Sequence, residues 1–304
     1  MSSRYNRLLL IAAAGAVLLP SLACDRAPTP ADALPGTFDP FPAPIHAADG
    51  VIRVNVREFA SLPDSDGLPS RMMVLVDQPQ IRHLFVNDMR GPLYRVSYDG
   101  TTVTRYLDLR DPQWALGVLS KESEQGFQSF VFHPDFGGAG APGFGRFYTY
   151  LDTSNQTVLP DFTTPRPHPT HDTVLLEWTA KTPSASTYDG GPPRELMRFR
   201  QPASNHNAGA LVFDPTAPRG SADVGLLYVG VADGGGEGDK MRLSQNLGSA
   251  FGKILRIDPL QANSANGKYG LPANNPFVGT SGALPEIYAY GVRNPQRLGW
   301  DRRA

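Results

Sequence analysis

The sequence predicts an all-β fold of the sandwich or propeller kind, on four observations. From Val51 onward no stretch keeps a helical period, and short alternating or continuous apolar runs end instead at Gly, Pro, Asn or Asp. The 304 residues include 31 Gly and 29 Pro, about a fifth of the chain against a usual share of roughly an eighth. Aromatic residues at 10% are too abundant for a disordered chain, so the turns surround a real core. Finally, two segments repeat one plan: a strand ends in an aromatic-x-Pro turn and a hairpin returns with a Tyr-bearing strand. They are Phe130 to Asp135 followed by Arg146 to Tyr150, and Leu211 to Pro215 followed by Leu227 to Val231.

The expected strands follow in order. They are Met72 to Val76, His83 to Asn87, Leu93 to Tyr98, Thr102 to Leu107, Gln128 to Phe132, Phe147 to Leu151, Thr173 to Trp178, Leu196 to Arg200, Ala210 to Phe213, Leu226 to Val231, Ile254 to Ile257 and Ile287 to Tyr290. Asp99-Gly100, between the third and fourth, is a strong hairpin signal. Strands in such number, joined by turns and not by helices, suit a sandwich or a propeller.

Ahead of them, Arg4 and Arg7 precede an apolar run from Leu8 to Leu19, too short for the roughly 20 residues that a spanning helix needs. Residues 1–23 therefore read as a signal peptide. Ser21-Leu22-Ala23 sets small residues before Cys24, the only cysteine, in an arrangement that resembles a bacterial lipobox with Ser21 and Leu22 transposed. Lipidation at Cys24 is the expectation, against plain cleavage after Ala23 that leaves a free thiol. Residues 24–50 carry prolines at 28, 30, 35, 40, 42 and 44 and read as an extended tether or a disordered mature N-terminus, with the folded domain over 51–304. Together these features point to a periplasmic or cell-envelope protein attached to a membrane by lipid.

With 28 Lys and Arg against 29 Asp and Glu, net charge −1, the chain is neither a polybasic nucleic-acid binder nor an acidic-tail protein. One cysteine permits no intrachain disulfide and no Cys-rich zinc site.

Four separated motifs then occur in a fixed order. Glu124-Gln125-Gly126 leads into the Phe130 strand; Ser204-Asn205-His206-Asn207-Ala208-Gly209 precedes Leu211; Val231-Ala232-Asp233-Gly234-Gly235 closes a strand; and Gly291-Val292-Arg293-Asn294-Pro295-Gln296 follows Tyr290. Over about residues 120 to 301 the chain resembles the glucose/sorbosone dehydrogenase family of soluble quinoproteins. That resemblance implies a six-bladed β-propeller binding pyrroloquinoline quinone (PQQ) and calcium, which oxidises aldose sugars to lactones and passes electrons to an external acceptor.

Oxidation of a hydroxyl needs a base with a pKa near the operating pH, for which imidazole is the natural choice. On the residues alone, His206 is either such a base or a histidine capping a turn; the resemblance makes it the catalytic base. Asp233, matching the family's acidic partner, would orient it, although Asp-Gly-Gly is also a common turn. The resemblance assigns Glu124, Asn205, Arg293 and Asn294 to cofactor binding, with Arg293 suited to pair with an acid or quinone oxygen. Gln128 and Ser129, with Phe127, stand where the family has leucines and glycine, so the packing there must differ. His133 reads as structural, and His46, His83, His168 and His171 as surface residues.

Two other classes compete: a binding propeller without chemistry, for carbohydrate or protein, and a metal-dependent propeller hydrolase, which would need an acidic cluster around calcium. The resemblance runs out at Trp300-Asp301, so the expectation is a C-terminally truncated propeller of about four blades. Its calcium ligands and further basic contacts to PQQ would lie beyond residue 304, and the 304-residue form alone would be inactive.

Overall fold

The computed structural model describes residues 55–121, 124–166, 169–218 and 220–301. The signal peptide, Cys24 and the tether fall outside the described residues, as do His46 and His168. Every strand expected from sequence is present. They are β1 (Met72–Gln78), β2 (His83–Asp88), β3 (Pro92–Ser97), β4 (Val103–Asp108), β5 (Phe127–Phe132), β6 (Arg146–Thr153), β7 (His171–Thr179), β8 (Arg194–Gln201), β9 (Leu211–Phe213), β10 (Leu227–Val231), β11 (Lys253–Ile257) and β12 (Ile287–Tyr290).

They pair into three four-stranded antiparallel sheets, β1-β2-β3-β4, β5-β6-β7-β8 and β9-β10-β11-β12, each a meander of sequence neighbours. The first strands converge, since β5 touches both β1 and β9. This is the up-and-down blade of a propeller. Against an expectation of about four blades, the described residues form three. The difference lies in the connections: residues 259–286, for example, run as turns, with one isolated bridge between Asp258 and Gly270.

Side-chain alternation explains why the blades stack. Phe147 and Leu151 of β6, with Val174, Leu176 and Trp178 of β7, join Phe85, Leu93 and Leu107 of the first sheet in one core. Tyr148, Tyr150 and Leu175 face the other way and join Leu227, Val229, Leu255 and Ile257 of the third sheet in a second core. The middle sheet is thus buried on both faces, so β7 reads His-Asp-Thr-Val-Leu-Leu-Glu-Trp with all eight residues buried. Two surface expectations fail. His171 has no solvent exposure because it opens that doubly covered strand, and His83, in β2 of the first sheet, is half-buried.

His133 is structural, as its Phe-His-Pro turn suggests. It is 2% exposed, its Nδ1 accepts the Asp135 N–H at 3.1 Å, and burial holds its imidazole pKa down to about 4. At the Asp99-Gly100 hairpin, the Asp99 carboxylate accepts the Thr101 N–H and hydroxyl, and Gly100 takes φ 75. A β-carbon at that glycine would meet the Phe59 carbonyl oxygen, so the turn requires it.

Candidate active site

The segment between β8 and β9 turns sharply, with left-handed backbone at His206 (φ 56) and Ala208 (φ 50). Gly209, at φ 115, lies so close to Tyr150 that a β-carbon would stand 2.4 Å from the ring. This turn delivers the His206 side chain to the end of β10. There Nδ1 lies 2.6 Å from Oδ1 of Asp233, and both residues are 3% exposed. Asp233 is fixed in turn by the Gly235 N–H, which donates to the same oxygen at 3.0 Å, and by its own N–H, which donates to the Arg293 carbonyl at 2.9 Å.

Glu124, just before β5, reaches the site from the middle blade. Its Oε2 accepts the His206 backbone N–H at 2.6 Å and the Asn294 amide at 3.3 Å. Asn205 lies against the glycine cluster, where a β-carbon on Gly235 would meet its Oδ1 at 2.5 Å. Arg293 is exposed at the rim, and the Oδ1 of Asn294 is buried with no hydrogen-bond partner. Glu124, Asn205, His206, Asp233, Arg293 and Asn294 are therefore brought together, by segments belonging to two blades.

Since Asp233 occupies Nδ1, the other ring nitrogen, Nε2, is the one left to exchange a proton with a ligand. Among the described residues no group of three or more His, Cys, Asp or Glu is placed to hold a metal.

Sequence reasoning missed the polar layer behind this site. Asp152 of β6, Gln128 of β5 and Asn207 are all buried, and the Gln128 and Asn207 amides both donate to the Asp152 carboxylate. An acidic residue inside the apolar strand Arg-Phe-Tyr-Thr-Tyr-Leu-Asp-Thr was the signal that could have found it. The floor of the glycine loop after Asp233 is held by Lys253, which has no exposure. Its ammonium donates to the carbonyls of Leu243, Ser244 and Phe251 at 2.9, 2.9 and 2.7 Å, and burial pushes its pKa down to about 8.

A large cleft lies elsewhere. It measures ≈ 1000 Å³ and is lined by β1, β5 and β9 together with Arg297 and Leu298, not by His206 or Asp233. A convergent, buried His–Asp contact identifies chemistry better than volume does, and the His206–Asp233 pair is the stronger candidate for catalysis.

Comparison with known proteins agrees with the fold. The HIPL2 protein of Arabidopsis thaliana is 32% identical over 227 residues, covering 65% of this chain and 30% of that protein. Human Hedgehog-interacting protein is 26% identical over 226 residues, 73% of this chain and 29% of that protein. The chain thus spans about a third of the length of these relatives. The PQQ-bound aldose sugar dehydrogenase of Streptomyces coelicolor superposes with a TM-score of 0.51 at 23% identity, over 79% of this chain and 54% of that one, a likeness of fold. The family model for glucose/sorbosone dehydrogenase matches residues 171–304, a shorter span than the resemblance in sequence, which began at about residue 120. The stretch of this chain that the glucose/sorbosone dehydrogenase model matches thus carries His206, Asp233, Arg293 and Asn294.

Proposed function

We propose that the protein of which this chain forms all or part oxidises aldose sugars to lactones with PQQ, His206 removing the hydroxyl proton. The observation that carries this reading is the 2.6 Å contact of His206 Nδ1 with Asp233 Oδ1 in a buried setting. A carboxylate there keeps the neutral ring protonated on Nδ1, leaves the Nε2 lone pair for a hydroxyl proton, and stabilises the imidazolium once the proton has moved.

The residues around the pair suit PQQ. The exposed Arg293 guanidinium can pair with a carboxylate or quinone oxygen, the buried Oδ1 of Asn294 needs a donor, and Asn205 offers an amide beside them. When bound, PQQ supplies the hydride acceptor, and reoxidation passes its electrons to an external acceptor. Calcium, which the resemblance adds, finds no cluster of three or more His, Cys, Asp or Glu among the described residues. Attachment to the cell envelope through a lipidated Cys24 belongs to the same reading; it motivates a Cys24→Ala variant, which should leave the membrane fraction.

The test uses the longest form that the locus encodes, incubated with PQQ and calcium and assayed for dye reduction with a panel of aldoses. His206→Ala should lower turnover on the order of 10²- to 10⁴-fold with PQQ still retained, whereas Arg293→Ala should weaken PQQ retention. Full turnover in His206→Ala would falsify the assignment.

A second reading, a propeller that binds a carbohydrate or protein without chemistry, is favoured by the ≈ 1000 Å³ cleft away from His206 and by the alignment with Hedgehog-interacting protein over 73% of the chain. Absence of dye reduction with any aldose, in a protein that still binds PQQ, would select it.

A further inference from the structure

Two buried side-chain amides tie the His206 turn to the middle blade. Gln128 occupies an irregularity in the β5–β6 pairing, between Phe127 and Ser129, where an extra residue turns a side chain out of register. From there its Nε2 donates to the Glu124 carbonyl at 2.5 Å and to Asp152 Oδ2 at 2.7 Å. Asn207, the residue after His206, donates from Nδ2 to the same two oxygens, at 3.0 and 3.4 Å. Two amides thus bridge two acceptors in a closed ring. Asp152 is anchored behind it by the Gly126 N–H at 3.0 Å, the Thr173 hydroxyl at 2.7 Å and His171 Nε2 at 3.2 Å. Gln128 is 3% exposed, and Asn207 and Asp152 have no exposure. On the next position of β5, the Ser129 hydroxyl donates to the carbonyl of Gly209, the other end of the same turn.

We propose that Gln128 is a positioning residue for His206: with Asn207 it clamps Glu124 to Asp152, so that the Glu124 carboxylate holds the His206 backbone N–H and aims the ring at Asp233. The clamp rests on the dehydrogenase reading only for its purpose, not for its geometry. A ring of donors and acceptors with no water access is costly to break at one member, because each buried group left alone loses its partner outright.

The experiment compares the wild-type chain with Gln128→Leu, of similar volume and without the amide, and requires no turnover. Nuclear magnetic resonance of histidine-labelled protein reads the Nδ1-bound proton of His206, and hydrogen exchange reads its backbone amide. In Gln128→Leu the His206 amide should exchange about tenfold faster, the worth of roughly one net hydrogen bond. The Nδ1 proton signal should shift or broaden, while His133, remote from the clamp, keeps its signals. Unchanged His206 signals in a folded Gln128→Leu would overturn the proposal. If that variant does not fold, the wild type decides: the side-chain amide protons of Gln128 and Asn207 should open with the same protection as the His206 N–H, and independent opening would overturn it. A clamp that passes in a protein showing no PQQ-dependent dye reduction would keep this inference and remove the dehydrogenase reading; the reverse pattern would do the opposite. In an active protein, Gln128→Leu should lower kcat by up to about 10²-fold, the effect of a misplacement on the order of 1 Å.

Discussion

The Glu124 carboxylate and the His206 backbone N–H, 82 residues apart, meet at 2.6 Å. This bond makes the site a property of two blades, and its strength depends on charge. A hydrogen bond to an ionised group contributes about 1.5–3 kcal/mol against about 1 kcal/mol for a neutral pair. Glu124→Gln keeps the shape and removes the charge, so the unfolding free energy should fall by about 1 kcal/mol. Urea titration should show a lower midpoint with an unchanged slope; an unchanged midpoint would mean that the contact contributes nothing net.

Asp233→Asn should leave the fold and disable the site. An amide can present either its oxygen or its NH₂ to Nδ1, so the ring is no longer held with its proton on Nδ1. In a PQQ-loaded active form, turnover should fall on the order of 10²- to 10⁴-fold. Circular dichroism and PQQ binding should match the wild type. Retained turnover would show that Asp233 only shapes the glycine turn.

His133 should set part of the acid limit of stability. Its folded pKa is lowered by burial to about 4, below the ordinary value of 6.5. Between those values the unfolded chain binds a proton that the folded chain does not, so stability is full above about pH 6.5 and declines as pH falls toward 4. The shift corresponds to about 3 kcal/mol at its fullest. His133→Asn, whose Oδ1 can still accept the Asp135 N–H, should flatten the stability profile between pH 6.5 and 4. A profile as steep as the wild type's would assign the acid limit to other groups.

Lys253 should be a strut of the loop that carries Asp233. Lys253→Met keeps the apolar stem but leaves the carbonyls of Leu243, Ser244 and Phe251 without the ammonium. A cost of about 1–3 kcal/mol is expected for the abandoned acceptors. Lys240 and Arg242 are exposed in that loop, so limited trypsin digestion offers a direct readout. Cleavage there should accelerate in the variant, and equal rates would contradict the strut.

The sequence was most legible where chain-local rules decide. All twelve strands were placed because apolar runs end at turn residues, and the Asp99-Gly100 hairpin because only a few residue types tolerate its backbone. Glu124, Asn205, His206, Asp233, Arg293 and Asn294, which the fold brings together, each lie in a short motif. His171 was misread because its burial comes from a neighbouring blade, which no local pattern in Thr170-His171-Asp172 records. The Gln128–Asp152–Asn207 layer was missed for a related reason: its members come from β5, β6 and the turn after β8, and only the folded pairing sets one beside the next. The blade count differed because connection length is not encoded by strand periodicity.

A histidine at φ 56 is an uncomfortable choice. A β-carbon in left-handed backbone costs about 1–2 kcal/mol, and glycine or asparagine would sit there with less strain. Conformational ease and proton transfer therefore pull position 206 in opposite directions. A descendant of this chain that kept the propeller but abandoned the chemistry would have nothing to hold an imidazole in that turn, and drift would carry the position to glycine or asparagine. On the dehydrogenase reading, the strained angle at residue 206 would thus make the presence or absence of a ring there a marker of whether the chemistry is kept.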